Sequence, residues 1–195
     1  MKNLALIFIG LLMCITIISC KKDKESNDIP ETYFEFNGKT YGLSKGFFIE
    51  YGESPNNNYE FDIFMYSGMH IYDPDSVVGS GNTIGFNIYS AKPNIESGTY
   101  EYNEEWDVTG TFDVGLFVLE WDENDPENQD WVYISDGNIS IQNNNNVFDI
   151  SFECTSTEGK SVKGRYRGTP DFFNMELKQK AFSSRTKSGK TARDI

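Results

Sequence analysis

Val147-Phe148-Asp149-Ile150-Ser151-Phe152-Glu153-Cys154 alternates apolar and polar residues without a break. Phe148, Ile150, Phe152 and Cys154 fall on one side of an extended chain, and Asp149, Ser151 and Glu153 on the other, the pattern of a strand with one face buried and one in water. Upstream, Gly137-Asn138-Ile139-Ser140-Ile141-Gln142 repeats the pattern across Asn143-Asn144-Asn145-Asn146, and downstream Ser161 to Gly168 repeats it after Glu158-Gly159-Lys160. Short half-apolar runs punctuated by Asn and Gly are the signature of antiparallel hairpins. Cys154, in phase with the apolar side, is expected to be a buried thiol.

The same signal extends back to Glu31. Tyr33 to Phe36 and Thr40 to Leu43 flank Asn37-Gly38-Lys39, where Asn-Gly supplies the positive φ angles of a tight hairpin turn. Further strands are expected over Gly46 to Tyr51, Tyr59 to Tyr66, Thr83 to Ser90, Gly98 to Asn103, Thr111 to Trp121 and Trp131 to Ser135. In Tyr59 to Tyr66, Tyr59, Phe61, Ile63 and Met65 face one way, and Glu60 and Asp62 the other. Ser67 to Asn82 reads as a long loop, and no stretch reads as a convincing helix. Residues 31–173, about 143 in all, suit one domain with one core: an all-β fold, a single antiparallel β-sandwich or barrel of about ten strands.

Pro93-Asn94-Ile95-Glu96-Ser97-Gly98-Thr99-Tyr100, Gly137 to Ile141, Phe148 to Phe152 and Gly159-Lys160-Ser161-Val162-Lys163-Gly164-Arg165-Tyr166-Arg167-Gly168 together resemble a pattern common among uncharacterised β-rich lipoproteins of the Bacteroidota. It covers roughly residues 90–170 and, more loosely, the Asn37-Gly38 hairpin. Its positions are turn glycines and core residues, so the resemblance implies a fold and an address and transfers no catalytic residue.

The N-terminus fits that address. Met1-Lys2-Asn3 is a short cationic start, Leu4 to Ile18 is apolar, and Ile17-Ile18-Ser19-Cys20 resembles the lipobox of bacterial lipoproteins. The apolar run is shorter than the ~20 residues that cross a bilayer core as a helix. The resemblance implies a signal peptide over residues 1–19, cleavage before Cys20 and acylation of Cys20, with two or more acyl chains giving a lasting membrane anchor. Lys21 to Asp28 has nothing to bury, so residues 20–30 read as the lipidated cysteine and a solvated linker. Its mixed lysines and acids resemble the surface-export signal of Bacteroidota lipoproteins, and position 21 is not the aspartate that retains many lipoproteins in the inner membrane. The expected location is therefore the outer membrane, at the cell surface, with its periplasmic face as the alternative. Residues 174–195 are polar and basic without periodicity and read as a disordered tail.

The formal net charge is -13, and residues 29–173 alone carry 25 acidic and 7 basic side chains. Glu96 to Asp136 holds thirteen carboxylates and no Lys or Arg, which argues against nucleic acid and for cationic or metal ligands. With Cys14 in the signal and Cys20 acylated, Cys154 has no partner for an intrachain disulfide. His70 is the only histidine, so the usual multi-histidine metal sites are ruled out, and no G-x-S-x-G elbow accompanies it. Gly79-Ser80-Gly81 lacks the third glycine of a phosphate loop, because position 84 is Ile84.

Glu101, Glu104, Glu105 and Asp107 are the carboxylates a glycosidase reading would use, and nothing in the sequence fixes their separation. Asp122, Asn124, Asp125, Glu127 and Asp130 form an oxygen-rich loop that could hold calcium, the one cofactor the sequence leaves room for. The loop departs from an EF-hand at Pro126, Glu127 and Tyr133. Trp106, Trp121, Trp131 and Tyr133 bracket this region, and flat aromatic faces beside carboxylates and amides suit sugar rings. Asp75-Ser76-Val77 resembles the short O-glycosylation motif of Bacteroidota exported proteins, with Ser76 as acceptor.

The expectation is thus a lipid-anchored, ligand-binding accessory domain, glycan being the leading ligand, with no catalytic residue assigned. The alternative is a structural or adhesion protein that meets an envelope or host protein, and a glycosidase-type enzyme ranks third. An impermeant protease added to intact cells is expected to remove the domain beyond Cys20 while a periplasmic control survives. Survival of a domain that is cleaved once purified would place it in the periplasm.

Overall fold

The computed structural model describes residues 31–74, 76–126 and 129–175. The signal, Cys20 and the linker, Asp75, Glu127 and the tail from residue 176 lie outside them. Eleven strands form one sheet: β1 (Tyr33–Phe36), β2 (Lys39–Gly42), β3 (Lys45–Glu53), β4 (Tyr59–Asp73), β5 (Ser76–Ser90), β6 (Gly98–Tyr102), β7 (Thr111–Asp122), β8 (Trp131–Asn144), β9 (Val147–Ser156), β10 (Ser161–Gly168) and β11 (Asp171–Asn174). Their order is β11-β3-β4-β5-β7-β6-β8-β9-β10-β1-β2, with β7 also paired directly to β8.

The sheet curls into a half-barrel whose two halves face each other. Ring contacts join strands far apart in the sheet: Phe34 and Phe36 of β1 meet Phe117 of β7, Phe48 of β3 meets Phe148 of β9 at 5.0 Å, and Phe86 of β5 meets Phe152 at 5.4 Å. Period-two alternation supplies this core, with Phe61, Ile63 and Met65 from β4, Ile84, Phe86 and Ile88 from β5, and Phe148, Ile150, Phe152 and Cys154 from β9 all buried. Cys154 sits where the alternation put it, and burial pushes its thiol up to about 12. The hairpin at Asn37-Gly38 forms with both residues at positive φ, as does the β8–β9 turn at Asn145-Asn146.

Three expectations change. Residues 67–82 are not a loop, because β4 runs on to Asp73 and β5 starts at Ser76. Gly68 and Gly79 take positive φ in a bulge that carries the ladder past a turn-like sequence, and Gly81 lies so close to Ser67 that a Cβ would stand 1.7 Å from its carbonyl oxygen. The β3 ladder on β4 ends at Tyr66, so from Met69 to Asp73 β4 is paired as a strand with β5 and the two form a two-stranded arm. Trp131 to Ser135 and Gly137 to Gln142 are one strand, bent by a bulge between Ile134 and Asp136. The sheet is also mixed rather than wholly antiparallel, since β11 runs parallel to β3 and β6 parallel to β7. β11 lacked an alternation signal; Phe173 and Met175 hold it against a second cluster of Phe47, Ile49, Tyr66 and Met69 on the outer face.

Gly164 lies opposite Phe34 with the ring of Phe152 over it, and an added Cβ would come within 2.5 Å of that ring and 2.4 Å of the Tyr33 carbonyl oxygen. Gly164→Ala is expected to cost about 1–3 kcal/mol in urea unfolding through overpacking, whereas Gly42→Ala, with open space around it, should stay within about 0.5 kcal/mol. Equal stabilities for the two variants would contradict this packing.

Candidate functional site

The outer face of β4, β5 and β7 carries the chemistry. Glu60 and Asp62 point away from the core on β4, directly opposite Tyr89 and Asn87 of β5. On β7 the register slips between the pairs Asn87–Val114 and Ile88–Phe112, so Asp113 is the extra residue of a bulge. A bulge re-aims a side chain, and this one brings Asp113 to the same cleft. Glu60, Asp62, Phe64, Asn87, Tyr89, Trp106, Asp113 and Leu116 line a cleft of about 360 Å³.

A polar network organises the cleft. Asn87 Nδ2 donates to Glu60 Oε1 and Asp62 Oδ1, each at 2.9 Å, Tyr51 Oη donates to Asp62 Oδ2 at 2.6 Å, and Tyr89 Oη donates to Asp113 Oδ2 at 3.1 Å. Two acceptors, Asn87 Oδ1 and Asp113 Oδ1, are screened from solvent and have no hydrogen-bond partner among the described residues. None of the seven basic side chains of residues 31–173 lines the cleft. Burial lifts the pKa of Asp62, against the pull of the Tyr51 and Asn87 hydrogen bonds, and the charge of Asp113 adds to the rise. Burial likewise lifts Glu60, partly offset by Asn87 and reinforced by Asp62, Asp113 and Asp107. Tyr51 and Tyr89 are both raised, first by burial and then by the carboxylates they bond.

Trp106 reaches the cleft from the β6–β7 loop, where Asp107 latches the loop down. Asp107 is buried with φ of 63°, and its carboxylate accepts hydrogen bonds from Ser54 Oγ, the Asn56 backbone N–H and Asn58 Nδ2. Asn58 Nδ2 also donates to the Asp107 carbonyl at 2.9 Å, and Thr109 Oγ1 donates to Asn58 Oδ1. Burial raises the Asp107 carboxyl, but these hydrogen bonds outweigh it and hold the group below the ordinary carboxylate range. The indole next to the latch stays 54% exposed.

The aromatic residues expected to form one platform are divided. Trp106 belongs to the acidic cleft, while Trp121 and Trp131 line a neighbouring apolar groove of about 220 Å³ with Phe47, Ile49, Phe64, Met69, Ile71 and Val77. Tyr133 is 50% exposed and pairs with Leu116, a wall of the cleft. Phe64 lines both cavities, its ring filling the space above Gly85 where a Cβ would stand 2.4 Å from it. Glu101, Glu104 and Glu105 are exposed and do not join Asp107, whose role is the latch. In the oxygen-rich loop, Asp122 Oδ1 accepts from the Asn124 backbone, Asn124 Nδ2 and Ser80 Oγ, and the first two lower its pKa most. Asp130 lines a separate depression with Lys39 and Lys160. Ser76 opens β5 at the tip of the arm, half-buried, and His70 is exposed on β4, where Lys45 Nζ lies 3.2 Å from its Nδ1.

Asn87 and Asp113 were not singled out in the sequence; the only signal was that Glu60 and Asp62 alternate away from the core. Comparison with protein families, with curated proteins and with solved structures finds no match to this chain.

The two carboxylate environments have opposite pH signatures. The folded-state pKa of Asp62 lies above its unfolded value, so its contribution to stability grows as pH falls through the raised value and is complete below the unfolded one. The Asp107 contribution is present above the unfolded value and is lost as pH falls through the lowered folded one. Asp62→Asn is expected to raise the Tm at neutral pH and to flatten the gain that acidification brings as pH falls through the raised value. Asp107→Ala should lower stability by about 2–4 kcal/mol, because three donors lose their acceptor. A destabilised Asp62→Asn would show that the Asp62 charge supports the fold.

Proposed function

We propose that this chain is an outer-membrane lipoprotein, anchored through acylated Cys20 at the cell surface, whose β domain is a non-catalytic accessory module that binds glycan in the cleft beside Trp106. One observation carries the reading: an exposed indole borders a cleft in which the acceptors Glu60, Asp62, Asn87 and Asp113 stand among the apolar side chains of Phe64, Val114 and Leu116. Sugar rings present apolar C–H faces that stack on indole and a rim of hydroxyl donors that carboxylates and amide oxygens accept. Rigid strands carry the acceptors, and the Asp107 latch fixes the loop that carries the indole, so little ordering cost falls on binding. The Trp121–Trp131 groove extends the surface for a longer chain.

The second reading, a module that docks on an envelope or host protein, is favoured by the two-stranded arm, where Tyr72 is 69% and Val78 44% exposed. A stoichiometric partner recovered from detergent-solubilised envelope, and lost on Tyr72→Ser, would support it.

For the glycan reading, the full chain is screened against an oligosaccharide array and a hit is titrated with Trp106→Ala. Affinity is expected to fall tenfold or more, about 1.4 kcal/mol, with little change in Tm because the indole is half-exposed. Unchanged affinity would remove Trp106 from the site.

A further inference from the structure

We propose that the ligand of the Trp106 cleft carries a protonated amine, as the amino sugars of a de-N-acetylated glycan do; this rests on the glycan reading and names its substrate class. The charge balance of the cleft is the first argument. Glu60 and Asp62 on β4 and Asp113 on β7 flank Asn87, and no lysine or arginine lines the cavity to offset them. Five of the seven basic side chains are paired elsewhere, Lys92 with Glu96, Lys160 with Glu158, Lys163 with Glu35, Arg165 with Asp149 and Arg167 with Glu31, and neither Lys39 nor Lys45 lines the cleft. A neutral sugar would add donors but leave these carboxylates uncompensated as it displaced water from them. An ammonium group supplies donors and charge together.

The second argument is independent of charge. Asn87 Oδ1 and Asp113 Oδ1 are screened from water and accept nothing from the described residues. These two acceptors lack donors where they lie, and a turn of the half-buried Asn87 and Asp113 side chains would present them to a ligand, in a domain where the neighbouring Asp107 carboxylate is bonded by three donors. A buried acceptor without a donor is costly, and a donor entering beside it relieves that cost. An ammonium carries three N–H donors and no acceptor, so it can serve several of these oxygens without presenting a lone pair to any of them.

The third argument is shape. The acceptors are spread over three adjacent strands rather than gathered at one point, and the exposed indole of Trp106 closes one side. That arrangement suits a cation at the edge of a sugar ring, because the indole takes the C–H face of the ring while the ammonium projecting from its edge reaches the carboxylates.

The test titrates the full chain with two tetrasaccharides of the same linkage, one of glucosamine, whose ammonium carries charge and three N–H donors, and one of N-acetylglucosamine, whose neutral amide keeps one donor and adds a carbonyl and a methyl; the salt dependence separates lost charge from added bulk. The glucosamine tetramer is expected to bind at least tenfold more tightly, with the gap narrowing as salt is raised. Asp62→Asn and Asp113→Asn should each shrink the gap at least fivefold, while Glu158→Gln, a carboxylate outside the cleft, leaves it unchanged. Asp62→Asn keeps the test valid if Asp113→Asn fails to fold. Equal binding of both tetramers, or tighter binding of the acetylated one, overturns the amine and leaves the glycan reading standing. Spermine binding as tightly as the glucosamine tetramer overturns the inference by reducing it to general cation attraction. Binding of no oligosaccharide at all overturns both readings.

Discussion

A single sheet of eleven strands whose main apolar face has no second layer to cover it buries that face by curling until it meets itself, leaving a smaller apolar cluster around Phe47, Ile49, Tyr66 and Met69 on the outside. The contacts that close it are aromatic. Phe117 receives Phe34 and Phe36, Phe148 meets Phe48, and Phe152 meets Phe86, each across the interior. Large rings reach across a space that aliphatic side chains would leave partly empty, and each brings a large buried area. The glycines are placed by the same demand. Gly164 leaves room for the ring of Phe152, and Gly115 for Ile134 and Phe86, so closure depends on small residues opposite large ones as much as on the rings themselves.

Once the inner face is committed to closure, the outer face is free to carry polar groups that do nothing for folding. On β4, β5 and β7 it carries half-buried carboxylates with raised pKa and two acceptors without donors. Asp107 provides the contrast within the same molecule. It is more deeply buried than Asp62, yet surrounding donors keep its carboxyl ionised, so burial alone does not force a raised pKa. The chain satisfies a buried carboxylate where it serves structure and leaves others under-satisfied where the surface opens into a cleft. Incomplete satisfaction confined to one concave site is the mark of a place organised for something other than stability.

The fold was legible because alternation is a local property. Phe148, Ile150 and Phe152 announce their face whatever strand lies beside them, and Asn37-Gly38 fixes its turn without reference to the rest. What was misread depended on partners. Gly79-Ser80-Gly81 looks like a loop until β7 supplies Trp121 and Asp122 opposite it, and Asp171 to Asn174 becomes a strand only because β3 offers an open edge. The site was less legible for the same reason. Trp106 could be picked out by type, but the bulge that turns Asp113 into the cleft, and the pairing that sets Asn87 between Glu60 and Asp62, are consequences of register. Sequence neighbours such as Glu104 and Glu105 suggested a cluster that the fold does not assemble, whereas Glu60 and Asp113 lie far apart in the chain and share one cavity.

The division of the aromatic residues between two cavities follows from one contact. Phe64 lies over Gly85, filling the place of the missing side chain, and its ring forms a wall of both the acidic cleft and the apolar groove. On one side the walls accept hydrogen bonds and carry negative charge; on the other Met69, Ile71, Val77, Trp121 and Trp131 offer almost nothing but apolar area. A ring held against a glycine backbone has little freedom to swing, so the boundary between the two chemistries is fixed by the sheet itself and not by a loop. A ligand long enough to cross Phe64 meets a polar subsite and an apolar one in a set order. The order of the two surfaces is thereby written into the strand register, because a slip of one residue in β5 would remove Gly85 from beneath the ring and Asn87 from between its carboxylates.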